Sequence, residues 1–591
     1  MNKKDNITFW IGITVIFFVY LYTRYPVLNV EDSFRYYNSD FSIFSMMAED
    51  IVEGRSFPFY YYGANYLGPF NSLVIIGANF ILKSFGFVQM IPVGEHQEYI
   101  IGPYATTMAC FFTVYLGIIL WGLAFKRIFT VWETLLSCLL LSIGSALLVR
   151  TSLRPLGPEV AFLLSGFLIL RGLILIKSDT VKNQLVFGLA LGVSWWMNQT
   201  VVFVIAPLLF YWVAKSPIFA LLRNNMQIKE RLLLQMQPLN LPPLNKYLRY
   251  FLLFVYSLAS INFCMGIVIS AMGGVNTVIG TIKLKIHNGF SPIKTSVLIF
   301  LVTQFLLWLF KGDRSLQKLK KQLVPISYVI LGFLFGYGPV LLGRVFKLYE
   351  KNYTPKFQFV PLTKIFTYWG DLYDSFVPGL LSNQLGIHRY LSSTLSYLFY
   401  CSLVTIIILF IKKNWSSFIR YTTFKPGRYS TKSIIWGIVF FNIIYIALSE
   451  RSRDQFAYRY AILCLPVLSI FIAHSFGWVK RNVTNKYLKI FPFVILISFS
   501  IVTYLQGRQQ IKVVKNSEHH VEKMDRLLNA DCDIYFSNYW KTYLYEWLLQ
   551  GQKKFAVIKG HDRTPAKTRR LLASNKRKCL IHDNWTITPY K

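Results

Sequence analysis

The sequence predicts an all-α multi-pass membrane protein of about 13 transmembrane helices, followed by a small α/β domain. Composition is the first ground. Of 591 residues 54% are hydrophobic and only 15% charged, with mean hydropathy +0.42, where a soluble chain carries about 25% charged residues. Spacing is the second, because the charges lie between apolar runs of about 16 to 30 residues, the length that crosses a bilayer. The third is that the basic residues collect on alternate loops. The net charge of +36 would otherwise suggest a nucleic-acid binder; here much of it encodes topology. A disordered chain, a collagen, a secreted disulfide scaffold and a soluble nucleic-acid binder are excluded.

Apolar spans are expected at 7–23, 102–125, 133–149, 159–176, 184–197, 200–214, 250–272, 294–310, 323–343, 392–411, 433–448, 459–478 and 488–505. A further apolar stretch, 70–92, carries Asn71, Asn79 and Lys83 and is expected to lie in the membrane surface. The positive-inside rule supports that choice. With Lys3 and Lys4 in the cytoplasm and 70–92 not crossing, the inner segments hold about 27 basic and about 4 acidic residues. They include Lys126–Arg127, the 215–249 linker, 311–322, 412–432 and Lys480–Arg481. A crossing at 70–92 would turn every later basic cluster outward.

The outer face then receives a long first loop (24–101), the turns 150–158 and 449–458, the segments 273–293 and 344–391, and the tail 506–591. The chain divides into a membrane domain, 1–505, and a soluble domain, 506–591. In the tail, the stretches Ile534 to Phe536 and Phe555 to Ile558 alternate with polar residues as strands do. No small-residue cleavage site follows the first apolar run, so no cleavable signal peptide is expected. Seven cysteines are few. Cys532 and Cys579 share the tail, where a disulfide and two free thiols both remain open. There is no CxxC, HExxH, Walker or Rossmann motif, so no metal cluster, nucleotide or redox cofactor is expected.

The first outer loop is the most informative stretch, acidic in a basic chain. After Asn38-Ser39-Asp40, the residues Phe41, Phe44, Met47, Ala48 and Ile51 recur at helical spacing. That pattern describes an amphipathic helix on the membrane surface with Asp40 at its N-terminus. Asp40 is there either as a carboxylate that meets a lipid headgroup or as an ordinary helix cap, which Ser39 would also supply. An aromatic cluster follows, with Tyr61 and Tyr66 among its members, suited to stacking on a sugar or to anchoring in the interface. In the turn Arg150-Thr-Ser-Leu-Arg154-Pro-Leu-Gly-Pro-Glu159, two arginines suit a phosphate or snorkel to lipid. Arg459 opens an apolar helix, where a charge is costly without a partner. Trp195, Trp196 and Asn198 stand at the tip of a tight pair of spans, as a site or as an aromatic belt.

In this order the pieces resemble the GT-C class of integral-membrane glycosyltransferases, and within it the branch of protein O-mannosyltransferase-like and aminoarabinose-transferase-like enzymes. A bacterial subgroup of that branch has a first loop similar to NSDFSIFSMMAEDIVEGRSFPFYYYGANYLGP. The similarity continues through RPLGPE at 154–159, GLALGVSWW at 188–196, GFLFGYGPVLLGR at 332–344, YRYAILCLPVLSIFIA at 458–473, SNYWKTYLYEW at 537–547 and HDRTP at 561–565. It covers most of the chain.

The resemblance implies a GT-C-like fold with interfacial helices in the first loop, and an inverting transfer of sugar from a polyprenyl-phosphate donor on the outer face. The acceptor would be an envelope glycan, a lipid or a protein. Asp40 would be the general base, with Glu31 and Asp32 as the alternative. Arg459 first, then Arg150 and Arg154, would hold the donor phosphate. Glu159, Tyr61, Tyr66, Trp195, Trp196 and Asn198 would orient the substrate. The location implied is a bacterial inner membrane, with the active site and tail periplasmic. Relatives show Asp-Glu at the first-loop site where this chain has Asp40-Phe41. That departure leaves divalent-metal use open, and also the reading of an inactive GT-C-like scaffold. A transporter or flippase of lipid-linked glycans would need a polar route at mid-membrane, and the spans here are nearly free of acids.

Overall fold

The computed structural model describes residues 3–25, 39–62, 67–93, 97–144, 146–155, 157–215, 275–279, 282–286, 314–346, 462–482, 520–559 and 564–590, with isolated positions between them. The expected spans at 392–411 and 488–505 lie outside the described residues. Those at 250–272, 294–310 and 433–448 are described only at scattered positions.

The chain is a membrane protein. Among the described residues, Lys3–Arg24, Pro103–Phe125, Pro158–Lys177 and Val324–Gly343 are helices long and apolar enough to cross a bilayer. Helix α1 (Lys3–Arg24) buries Phe9, Ile13, Ile16 and Tyr20 along one stripe. On its other side Ile11, Val15 and Phe18 stay exposed, the all-round apolar character of a helix facing lipid. Helix α2 (Ser39–Val52) buries the expected apolar positions Phe41, Phe44, Met47 and Ala48, but Ser39, Ser42, Ser45 and Glu49 are buried as well, so it is a covered helix and not the expected one with a polar face turned to water. Helix α3 (Phe70–Ser84) has 15 residues, about 22 Å of helix, too short for a hydrocarbon core of about 30 Å.

Helices α4 (Pro103–Phe125) and α7 (Pro158–Lys177) pack closely where Gly117 meets Phe162 and Gly166 meets Trp121. The Trp121 indole donates to the Phe162 carbonyl at 3.0 Å. The expected span 133–149 is not one helix. It is α5 (Val131–Ile143) and a short α6 (Ala146–Thr151). Gly144 parts them at φ 76°, and a Cβ there would lie 2.9 Å from the buried Arg24 guanidinium. Helix α8 (Val181–Met197) turns through Gln199–Val201 into α9 (Val202–Lys215). Helix α10 (Arg314–Val345) begins well before the expected 323–343 span and takes in Lys318, Lys320 and Lys321.

Helices α8 and α10 touch backbone to backbone. A Cβ on Gly188 would lie 2.1 Å from the Val329 carbonyl oxygen, and one on Gly336 2.4 Å from that of Leu189. Gly192 and Gly332 complete the contact, so the two helices share a small-xxx-small interface. Helix α11 (Cys464–Asn482) lies against α5, with Ser137 and Ser469 hydroxyls 2.7 Å apart.

Strands β1 (Val275–Ile279) and β2 (Ile282–Ile286) form a hairpin. At the C-terminal end, β3 (Ile534–Asn538), β4 (Lys554–Lys559), β5 (Lys578–Ile581) and β6 (Ile587–Pro589) form one sheet in the order β4-β3-β5-β6. Strand β3 runs parallel to both neighbours, and β6 antiparallel to β5. Helices α12 (His520–Asn529), α13 (Tyr539–Leu548) and α14 (Pro565–Leu572) belong to the same segment. A Cys532–Cys579 disulfide ties the approach to β3 to strand β5. The core formed here by Met524, Tyr535, Trp547 and Phe555 is continuous with Phe41, Ile91 and Tyr99 of the first loop.

Candidate functional site

Asp40 lies in the first turn of α2, partly exposed. Two tyrosines reach its carboxylate. The Tyr539 hydroxyl, from the start of α13, donates to Asp40 Oδ1. The Tyr61 hydroxyl lies 3.5 Å from the same oxygen and donates to the Asp40 carbonyl at 3.2 Å. Tyr61 is held by its ring against Phe44, with centroids 4.6 Å apart, and by its amide on the Leu67 carbonyl at 2.8 Å. Ser39 turns toward α13: its Oγ donates to the Tyr539 carbonyl at 2.6 Å and accepts from the Leu544 amide at 3.3 Å.

The residue after Asp40 links this carboxylate to an arginine. Phe41 is fully buried, and the Arg154 guanidinium lies 5.7 Å from its ring centroid, within cation–π range. Arg150 lies in the last turn of α6, four positions earlier, so both arginines of the 150–158 turn stand on the same short stretch. Phe41 places an apolar ring next to Asp40 in the core shared with the C-terminal segment. Among the described residues no three His, Cys, Asp or Glu side chains converge on one point.

Glu159, Asn198 and Trp196 form a second group. Glu159 is fully buried in the first turn of α7, where its Oε1 accepts from Asn71 Nδ2 at 2.5 Å and from the Gly157 amide at 2.9 Å. Asn198 Nδ2 donates to the Gly157 carbonyl at 2.8 Å, and its Oδ1 accepts from the Thr200 amide at 3.0 Å. Gly157 stands at φ 94°, a conformation that favours glycine. The Trp196 indole donates to the Phe59 carbonyl at 2.9 Å, and the Gly68 amide to the Met197 carbonyl at 2.8 Å. Trp195 is 1% exposed, in the main apolar core. These side chains tie the first loop to the ends of α7 and α8. Arg459, Glu31, Asp32 and Tyr66 lie outside the described residues.

Sequence reasoning missed Tyr539, Glu49 and Asn71. Glu49, on α2, is 6% exposed and accepts from Trp547 Nε1 at 3.0 Å and Gln550 Nε2 at 2.8 Å. Burial pushes its carboxyl up to about 8, against the lowering effect of those two donors. Burial, then the bond to Asp50, also raises the Tyr62 phenol. An aromatic-rich SNYWKTYLYEW was the only signal for Tyr539, and it does not name a partner.

No family model matches the chain, and no curated protein matches it. Solved structures resemble it in fold. One is the oligosaccharyltransferase of Archaeoglobus fulgidus in complex with zinc and sulfate, at TM-score 0.42 and 11% identity over 92% of this chain. This chain spans 62% of the length of that enzyme. A second is the archaeal oligosaccharyltransferase AglB from the same organism, in complex with an inhibitory peptide and a dolichol-phosphate, at TM-score 0.42 and 11% identity, covering 94% of this chain and 65% of that one. A third is ArnT from Cupriavidus metallidurans bound to undecaprenyl phosphate, at TM-score 0.38 and 11% identity, covering 97% and 93%. The solved structures it resembles are GT-C glycosyltransferases, the class its sequence motifs resemble.

Proposed function

We propose that this protein is an inverting membrane glycosyltransferase that moves a sugar from a polyprenyl-phosphate donor to an acceptor hydroxyl on an envelope glycan, a lipid or a protein. The observation that carries the reading is the partly exposed Asp40 carboxylate, set at the start of the otherwise buried helix α2 and met by the hydroxyls of Tyr61 and Tyr539. Asp40 takes the proton from the acceptor hydroxyl as its oxygen bonds to the anomeric carbon. On the opposite side the bond from that carbon to the phosphate oxygen breaks, and polyprenyl phosphate leaves. The charge growing on that oxygen needs a fixed cation. Arg459 is the first candidate, followed by Arg150 and by Arg154, which lies beside Phe41.

The membrane domain, 1–505, carries this chemistry, and the domain 506–591 lies on the same, outer side of a bacterial inner membrane. The Cys532–Cys579 disulfide favours that side, because such bonds persist in oxidising compartments. Glu159, Asn198 and Trp196 act here by holding the first loop in place, Tyr61 by holding Asp40, and Tyr66 remains a candidate for orienting the sugar.

The test is turnover in lipid nanodiscs with a panel of polyprenyl-phosphate sugars and a crude envelope acceptor fraction. Release of polyprenyl phosphate by the wild type, lost in Asp40→Asn, is the expected result. An unchanged rate in Asp40→Asn would move the base to Glu31 or Asp32. Absence of release with every donor, in a protein that moves lipid-linked glycans across the bilayer, would favour a flippase.

A further inference from the structure

Asp40 and Tyr539 are 499 positions apart, yet the tyrosine donates to the aspartate. Tyr539 is 7% exposed and opens α13 behind an Asn538 cap, whose side chain accepts from the Lys541 amide at 3.2 Å. Its phenol is therefore carried by a capped helix that is fixed to α2 at both ends. Ser39 joins the two helices at one end, through the Tyr539 carbonyl and the Leu544 amide. Glu49 joins them at the other, through Trp547 and Gln550.

Behind the phenol stands a second tyrosine. The rings of Tyr539 and Tyr543 meet edge to face, centroids 5.6 Å apart. The Tyr543 hydroxyl donates to Asp562 Oδ1 at 3.0 Å and accepts from the Thr564 amide at 3.1 Å. The two C-terminal stretches singled out in the sequence, SNYWKTYLYEW and HDRTP, thus converge behind one phenol.

We propose that Tyr539 is a positioning residue for the Asp40 carboxylate, so that the C-terminal segment completes a site the membrane-embedded part begins. This rests on the reading of Asp40 as the base. A free aspartate turns about its Cβ–Cγ bond. A phenol held by a rigid helix on Oδ1, with Tyr61 on the same side, sets the plane of the carboxylate toward the acceptor. Such sites need orientation within about 10–20° to be productive. Tyr539 gives up no proton in the reaction; its hydroxyl remains a donor while Asp40 gains one. A consequence is that turnover requires α13 to be docked on α2, which couples two ends of the chain.

Two measurements on the full-length protein in nanodiscs test this. The first needs no donor: carboxylates are coupled to glycine ethyl ester with a water-soluble carbodiimide, and the rate at Asp40 is read by peptide mass spectrometry. Tyr539→Phe is expected to raise that rate severalfold. Tyr545→Phe removes a hydroxyl of the same helix that bonds His520 at 2.8 Å, and is expected to leave it unchanged. The second is polyprenyl phosphate release. Tyr539→Phe should lower kcat about ten- to a hundredfold, the worth of a hydrogen bond to a charged group, with donor KM unaltered. On the slow residual release of Asp40→Asn, followed at high enzyme concentration, the same change should cost nothing further.

Wild-type labelling and wild-type turnover in Tyr539→Phe, with Asp40→Asn reduced to its residual rate, would overturn the positioning role and leave the base in place. An equal loss in both backgrounds would also overturn it, by showing that Tyr539 acts through folding. Full activity in Asp40→Asn would remove the base, and this proposal with it.

Discussion

Trp547 donates its indole N–H to the Glu49 carboxylate at 3.0 Å, joining α13 to α2 across 498 positions of sequence. Gln550 shares the same oxygen at 2.8 Å. Two donors favour the ionised carboxylate, but removing it from water costs more, and the second effect wins: Glu49 is pushed from 4.5 up to about 8. Asp50 adds to the rise, and Arg55 opposes it.

The sign follows from proton linkage. Between pH 4.5 and about 8 the docked form holds a proton that the undocked form has lost, so docking is strongest below that window and weakens as pH rises through about 8. Amide exchange along α13, corrected for its intrinsic pH dependence, should therefore quicken between pH 6 and pH 9, by about tenfold for each pH unit inside the window at most. Glu49→Gln, which stays neutral and keeps an acceptor oxygen, should remove most of that dependence. Exchange equally pH-dependent in Glu49→Gln would place the titrating group elsewhere.

The contact of α8 with α10 gives a prediction of stability. Gly188 faces the Val329 carbonyl so closely that a Cβ would stand 2.1 Å from it. Backbone cannot retreat as a flexible side chain does. Gly188→Ala should therefore destabilise the protein by about 1–3 kcal/mol, the usual cost of overpacking. A Cβ on Gly77, in α3, would meet nothing within 4 Å, and Gly77→Ala should be neutral or slightly stabilising. Thermal aggregation of the detergent-solubilised variants separates the two. Equal midpoints would show that α8 and α10 do not approach in this way.

Hydropathy made the long helices legible, because burial in lipid demands an unbroken apolar run. Spans read at 7–23, 102–125 and 159–176 correspond to Lys3–Arg24, Pro103–Phe125 and Pro158–Lys177. It could not show the break at Gly144, where the chain stays apolar and only a positive φ ends the helix. Nor did it mark the start of α10, since Lys318, Lys320 and Lys321 are good helix formers whose charge reports the side of the membrane. GLALGVSWW and GFLFGYGPVLLGR stand out only as matching strings; Gly188, Gly192, Gly332 and Gly336 within them form one helix–helix contact. At the candidate site, helical spacing sufficed to place Asp40 at the head of α2. Its partner Tyr539 was hidden, because one tyrosine in an aromatic run carries no sign of which distant carboxylate it will meet.

The disulfide offers a check on both fold and compartment. Cys532 and Cys579 close a loop of sequence separation 47, for which chain entropy gives about 4 kcal/mol of stabilisation. Their replacement by serine should make the 520–590 segment markedly easier to cut by protease, with the membrane helices unaffected. In protein alkylated as it leaves the cell, a maleimide-polyethylene glycol should mark these two cysteines only after reduction. Marking without reduction would place the segment in a reducing compartment.

Glu159 distinguishes a scaffold from a substrate contact. It is fully buried, and it holds Asn71 of α3 and the Gly157 amide at 2.5 and 2.9 Å. Removing the acceptor leaves two buried donors without this partner, at about 1–3 kcal/mol each. Glu159→Ala should accordingly lower the thermal midpoint, and Glu159→Gln, which keeps an oxygen for the same donors, should recover much of the loss. Because the carboxylate ties α3 to the start of α7, the first loop should loosen with it, and kcat should fall in proportion to the folded fraction while donor KM stays constant. A raised donor KM in a fully stable Glu159→Gln protein would instead mean that the carboxylate charge itself meets the sugar or an arginine on the phosphate.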